Sequence, residues 1–67
     1  MKCYFIGREY HVWVGKADDA EPNELNYKAY FFRGGNCISQ GYYGCHKDAI
    51  DRLEQILIGD AANPELV

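Results

Sequence analysis

The sequence predicts an α+β fold: a small antiparallel β-sheet of three to four strands, in β-β-β-α order, with one C-terminal amphipathic helix packed on one face. Three observations carry this prediction. Tyr27 to Phe32 is a run of aromatic and other residues that suit a pleated, half-buried surface. Arg33-Gly34-Gly35-Asn36 follows it, and glycines at that point supply the positive φ angles of a tight hairpin. Ala49, Ile50, Leu53, Ile56 and Leu57 then recur at helical spacing and make one apolar stripe.

The elements can be justified in order. Cys3 to Ile6 is a short β-prone run, and Gly7-Arg8-Glu9 interrupts it before Tyr10 to Val14. This reads as a hairpin turning at Gly7-Arg8, in preference to one long strand bulged at Gly7. Lys16 to Asn26 mixes Asp, Glu, Asn, Pro and Ala without apolar period and reads as a connecting loop. After the Gly-Gly turn, Cys37 to Tyr43 returns antiparallel. The helix starts near His46 to Asp48, with Asp48 suited to its positive end. Asp48 and Arg52, four residues apart, can pair on its outer face for a few tenths of a kcal/mol. Gly59 is placed as a left-handed stop, and Ala61 to Val67, with Pro64, reads as a loose tail. The expected division is one domain over residues 1–58 and a tail over 59–67.

Strand alternation divides the side chains between two faces. If Lys28 faces water, Tyr30 and Phe32 face the same way, which leaves Tyr27, Ala29 and Phe31 beneath the helix. On the earlier strand Tyr10, Val12 and Val14 share one face, and His11 and Trp13 the other. Placing Val12 and Val14 under the helix puts His11 and Trp13 beside Tyr30 and Phe32 on an uncovered face. An apolar patch of that size on a small protein marks a partner surface, and Trp and Tyr are enriched among interface anchors.

Composition narrows the class of function. At 67 residues the chain holds one core at most, and a chain this short is marginal as a monomer. One Trp, six Tyr and three Phe argue against disorder. A net charge of −3 weighs against direct binding to nucleic acid, which needs clustered Lys and Arg. Asp18, Asp19, Glu21 and Glu24 form the one acidic cluster and read as a solvated loop. No leader develops after Met1-Lys2-Cys3-Tyr4-Phe5-Ile6, and no apolar run approaches a membrane span, so the expectation is cytoplasmic with no membrane partner. Three cysteines, an odd number, fit a reducing compartment better than a disulfide scaffold.

The reactive residue types do not fall into catalytic or metal-binding patterns. Cys37 and Cys45 lack knuckle spacing, and adjacent Cys45 and His46 do not easily ligate one ion. Cys3 and Cys37 read as small buried hydrophobes. Cys45 sits near a helix N-terminus, where a thiolate is favoured. His11 and His46 have no local signature of a Cys–His pair, and His46 reads as a cap or surface residue. Gly34-Gly35 lacks the downstream Gly-Lys-Ser/Thr of a phosphate loop. Asp18 with Asp19, and Asp48 with Asp51, have no reason for a shared proton. The expectation is no enzyme, no cofactor and no metal.

Half of the chain resembles HicB-like antitoxin domains. Ala29-Tyr30-Phe31-Phe32 looks like that family's central strand, and Cys37-Ile38-Ser39-Gln40-Gly41 looks like its Gly-Cys-x-Ser-x-Gly segment. Asp48-Ala49-Ile50 through Leu53, Ile56 and Leu57 resembles the helix that follows. Gly34-Gly35-Asn36 stands where the family usually carries Pro before Gly-Cys, and Gly41 to Asp48 replaces a Gly-Asp-Thr-x-Glu-Glu run. The family's frequent C-terminal DNA-binding segment has no counterpart before Val67. The resemblance implies a protein that covers and neutralises a toxin acting on RNA, without operator binding.

The functional expectation is a non-catalytic inhibitor of a nucleic-acid-handling protein, a toxin or a defence complex, which it occludes. An antitoxin and a phage-type anti-defence inhibitor such as an anti-CRISPR are the same kind of object physically. The contacts expected are His11, Trp13, Tyr30 and Phe32, with Asp18, Asp19, Glu21 and Glu24. The alternative is a homodimer or larger assembly through the same face, or a small-ligand sponge built at its seams.

Overall fold

The computed structural model describes residues 1–17 and 25–62, the side chain of Ala62 excepted. Its elements are β1 (Lys2–Ile6), β2 (Tyr10–Lys16), β3 (Tyr27–Arg33), β4 (Asn36–Tyr43) and α1 (His46–Ala62). The four strands form one antiparallel sheet in the order β1-β2-β3-β4, so each strand pairs with its sequence neighbour. The α+β class and the helix on one face are as the sequence predicts, and the first two strands do form a hairpin.

Both hairpins turn on a glycine. Gly7 adopts φ 69° in the turn between Ile6 and Tyr10, which pair across it. In the second, Arg33 pairs with Asn36 around a two-residue loop, and Gly34 has φ 60° while Gly35 does not enter the positive region. Glycine at the first central position alone is the pattern of a type II′ turn, whose twist matches the flanking strands. The two turns lie side by side: the Gly34 amide donates to the Glu9 carbonyl at 2.7 Å, and Arg33 meets the Glu9 carboxylate at 3.4 Å. At the opposite end the Ala17 amide donates to the Asn26 carbonyl at 2.8 Å, and β2 runs to Lys16, further toward the acidic segment than expected, while β3 starts at Tyr27 as expected.

The register sorts the side chains. Val12 pairs with Phe31 and Val14 with Ala29, all four on the helix side and all fully buried. Ala49 and Leu53 of α1 complete the core, with Tyr4, Ile6, Tyr10, Tyr27, Tyr43 and Ile56 packed around it. Burying a side chain of the size of Val12, Val14, Phe31 or Leu53 contributes about 1.5–3 kcal/mol. On β4 a bulge falls where Phe31 pairs with Ser39 but Phe32 with Cys37, which leaves Ile38 as the extra residue.

The helix starts at His46, as expected, and departs from the sequence expectation at its C-terminal end and in its surface ion pair. It runs through Gly59 to Ala62, so Gly59 is an interior residue rather than a left-handed stop, and a boundary at residue 58 would cut the last turn. Glycine inside a helix costs about 1 kcal/mol relative to alanine, and tertiary contacts beyond it offset that cost. The Tyr10 hydroxyl donates to Asp60 Oδ2 at 2.6 Å, and Arg33 Nη1 stands 3.7 Å from the same oxygen. Arg33 also supplies the positive charge that the helix C-terminus lacks, since no basic residue lies in its last turn. The i,i+4 ion pair that forms is Lys47 with Asp51 at 3.0 Å, not Asp48 with Arg52. It is exposed and contributes little.

Gly34→Ala should lower unfolding free energy by about 1–3 kcal/mol through backbone strain alone, because a Cβ there meets nothing within 4 Å. Gly35→Ala, with equal space and no positive φ, should leave stability unchanged or raise it by up to about 1 kcal/mol; urea denaturation of both variants separates the two effects. The hydrogen bond to Asp60, with partial burial, holds the Tyr10 phenol above its ordinary range despite the opposing pull of Arg33. The folded state then keeps a proton that the unfolded chain releases. This stability is complete below the ordinary tyrosine value and declines as pH rises through the raised one. Tyr10→Phe should flatten that share of the alkaline loss in unfolding curves taken above about pH 10.

Candidate binding face

Alternation places one set of side chains under the helix and the other on a sheet face that, among the described residues, has no element over it. Three cross-strand rows make up this open face. Phe5, His11 and Phe32 stand opposite one another on β1, β2 and β3, with Cys37 beyond them on β4. Cys3, Trp13, Tyr30 and Gln40 form the middle row, and Gly15, Lys28 and Tyr42 the third. The expected residues His11, Trp13, Tyr30 and Phe32 therefore come together, with Trp13 and Tyr30 directly paired at the centre. Asp18, Asp19, Glu21 and Glu24 lie outside the described residues.

The first row is a stack of rings. His11 lies 4.9 Å from Phe5 at 30° and 4.9 Å from Phe32 at 2°. Near-parallel rings cannot lie flat and side by side at that distance, so they overlap with an offset, like slates, and His11 is covered on both faces. The separation is about the spacing of neighbouring strands, so the sheet itself sets the stack. The face offers tilted rings and ring edges rather than a plate parallel to the sheet. That geometry suits the relief of a protein surface better than a flat base or nucleotide, whose recognition depends on open ring faces.

Phe5 is 64% exposed, Tyr42 44% and Trp13 40%. Sequence reasoning missed Phe5 and Tyr42, because their place depends on hairpin registers that pattern alone leaves open. Once Ile6 pairs with Tyr10, Phe5 must oppose His11. Ile38, displaced by the bulge, is also exposed, at 43%.

Lys28 is the one charged side chain in these three rows. Its ammonium stands 5.3 Å from the Tyr30 ring centroid and 5.2 Å from that of Tyr42. Its interaction with the Tyr30 hydroxyl, followed by that with Tyr42, raises the ammonium above the ordinary lysine range. The described carboxylates lie elsewhere: Glu9 in the first turn, and Asp48, Asp51, Glu54 and Asp60 on the helix. Among the described residues, acidic charge and aromatic surface are thus segregated, and the Asp18–Glu24 cluster that the sequence reading joins to the face lies outside them.

The histidines and cysteines have distinct surroundings. His46 is not a cap or a free surface residue: its Nδ1 lies 2.7 Å from the Tyr4 hydroxyl, and the Tyr4 and Tyr27 rings meet it edge-on at 5.7 and 4.8 Å. It pins the start of α1 to β1 and β3. Cys37 is exposed rather than buried, and Cys45 is exposed beside the helix start. Cys3 is half-buried, and desolvation raises its thiol pKa. Among the described residues no group of three or more His, Cys, Asp or Glu side chains could hold a metal ion, and no helix is long and apolar enough to cross a membrane.

No protein-family model, curated protein or solved structure matches this chain. The resemblance to HicB-like antitoxin domains rests on the residues of β3, β4 and α1 quoted above.

Proposed function

We propose that this chain is a non-catalytic binding protein that inhibits a nucleic-acid-handling protein by laying its open aromatic face on it. One observation carries the reading. Trp13, Tyr30, Phe5, Phe32 and Tyr42 form a continuous aromatic surface to which the chain's own helix contributes nothing. Trp and Tyr at the centre of a patch, ringed by less critical contacts, are the usual anchors of a protein interface. The stacked row supports a protein partner over a nucleobase for the geometric reason given above.

The class of partner is supported by charge and by the antitoxin resemblance. The net charge of −3 attracts a basic surface such as a nucleic-acid-binding cleft. Attraction of this kind speeds encounter, while the near-neutral face makes the contact. An antitoxin and an anti-defence inhibitor both fit this description.

The test assays a panel of purified RNA- and DNA-cleaving toxins and defence nucleases for one that the chain inhibits. Stoichiometric addition of the chain should suppress cleavage. Trp13→Ala with Tyr30→Ala should abolish suppression while leaving circular dichroism unchanged. Undiminished inhibition by that folded double variant would overturn the assignment of the face.

A further inference from the structure

We infer that the free chain pairs with a second copy of itself, open face against open face, so that self-pairing masks the surface a partner would use. The masking rests on the function proposed above; the pairing does not.

The first argument is the size of the core. Among the described residues six side chains are fully buried, Val12, Val14, Ala29, Phe31, Ala49 and Leu53, and two of these are alanines. A fold of this length is marginal on such a core and is commonly completed by disulfides, a metal or association. Cys3, Cys37 and Cys45 are all free, and the described residues hold no metal-binding group. A second copy covers what one helix cannot.

The second argument is charge. The three rows of the open face carry a single charge, at Lys28, and its ammonium already rests against Tyr30 and Tyr42. Lys28 lies in the last row, at the opposite end from Phe5, His11 and Phe32. A twofold axis running across the strands therefore sends the two lysines to opposite ends of the seam. The described carboxylates stay outside it, so pairing desolvates none of them. The middle row meets its own copy at the axis, which puts Trp13 and Tyr30 at the centre. Two sheets packed this way lie about 10 Å apart with the helices outermost.

Trp13 is the chain's one tryptophan and sits in this seam, so its emission reports the pairing. Sedimentation from low to high micromolar concentration should show a monomer–dimer equilibrium. Acrylamide quenching of Trp13 should rise on dilution in step with dissociation. Tyr30→Lys with Phe32→Lys should give a monomer with a quenchable Trp13, while Glu54→Lys on the helix should leave the dimer intact. If the double lysine variant fails to fold, Tyr30→Ala should still weaken association by at least about tenfold. A wild-type chain that stays monomeric overturns the pairing, as does a dimer unmoved by the folded Tyr30 variants. Inhibition of cleavage without any dimer removes the self-pairing alone, and a dimer without inhibition removes the proposed function alone.

Discussion

One helix can cover one face of a sheet, and here it covers the face built by Val12, Val14, Ala29 and Phe31. Everything else in the molecule is arranged around that constraint. Strand parity sends each second residue to the other side, so the aromatic content of β1, β2 and β3 is divided rather than pooled. The helix side receives aliphatic residues, Phe31 and the surrounding Tyr4, Tyr10 and Tyr27, and closes into a dry core. The other side receives Phe5, His11, Trp13, Tyr30 and Phe32 and stays open. A one-residue slip of β2 against β3 would exchange the two sets, and Val12 opposite Phe31, with both fully buried, is what makes that slip costly.

The helix is held at its ends by tyrosines from the sheet. Tyr4 and Tyr27 hold His46 at its start, and Tyr10 with Arg33 holds Asp60 at its finish. The Tyr4–His46 and Tyr10–Asp60 hydrogen bonds join residues 42 and 50 positions apart, so they constrain the helix axis over the sheet in a way the apolar stripe alone would not. They also account for a helix that continues through Gly59. Local propensity favours ending there, but Asp60 has partners on two strands that it reaches only if the helix goes on.

Much of this was legible in the sequence, and the failures have definable causes. The alternation of Tyr10 to Val14 and of Tyr27 to Phe32 is enough to separate the faces, and it correctly groups His11, Trp13, Tyr30 and Phe32. The position of Phe5 needed the length of the first turn, which three residues of Gly-Arg-Glu do not determine by themselves. Cys37 was read as buried because strand cysteines often are, but β4 is an edge strand with a bulge, and its side chains are largely exposed. The roles of His46 and Asp60 depend on contacts from β1 and β2, which no local pattern encodes. The acidic cluster from Asp18 to Glu24, which the sequence reading adds to the contact surface, lies outside the described residues.

Which face is core and which is open depends on the side of the sheet that the helix occupies. The direct measurement is a set of proton–proton Overhauser contacts from the Leu53 and Ala49 methyl groups. The structure predicts cross-peaks to Val12, Val14 and Phe31 and none to Trp13, Tyr30 or Phe32. Contacts from Leu53 to the Trp13 indole or the Phe32 ring would contradict it, because the face argued here to be open would then be the core.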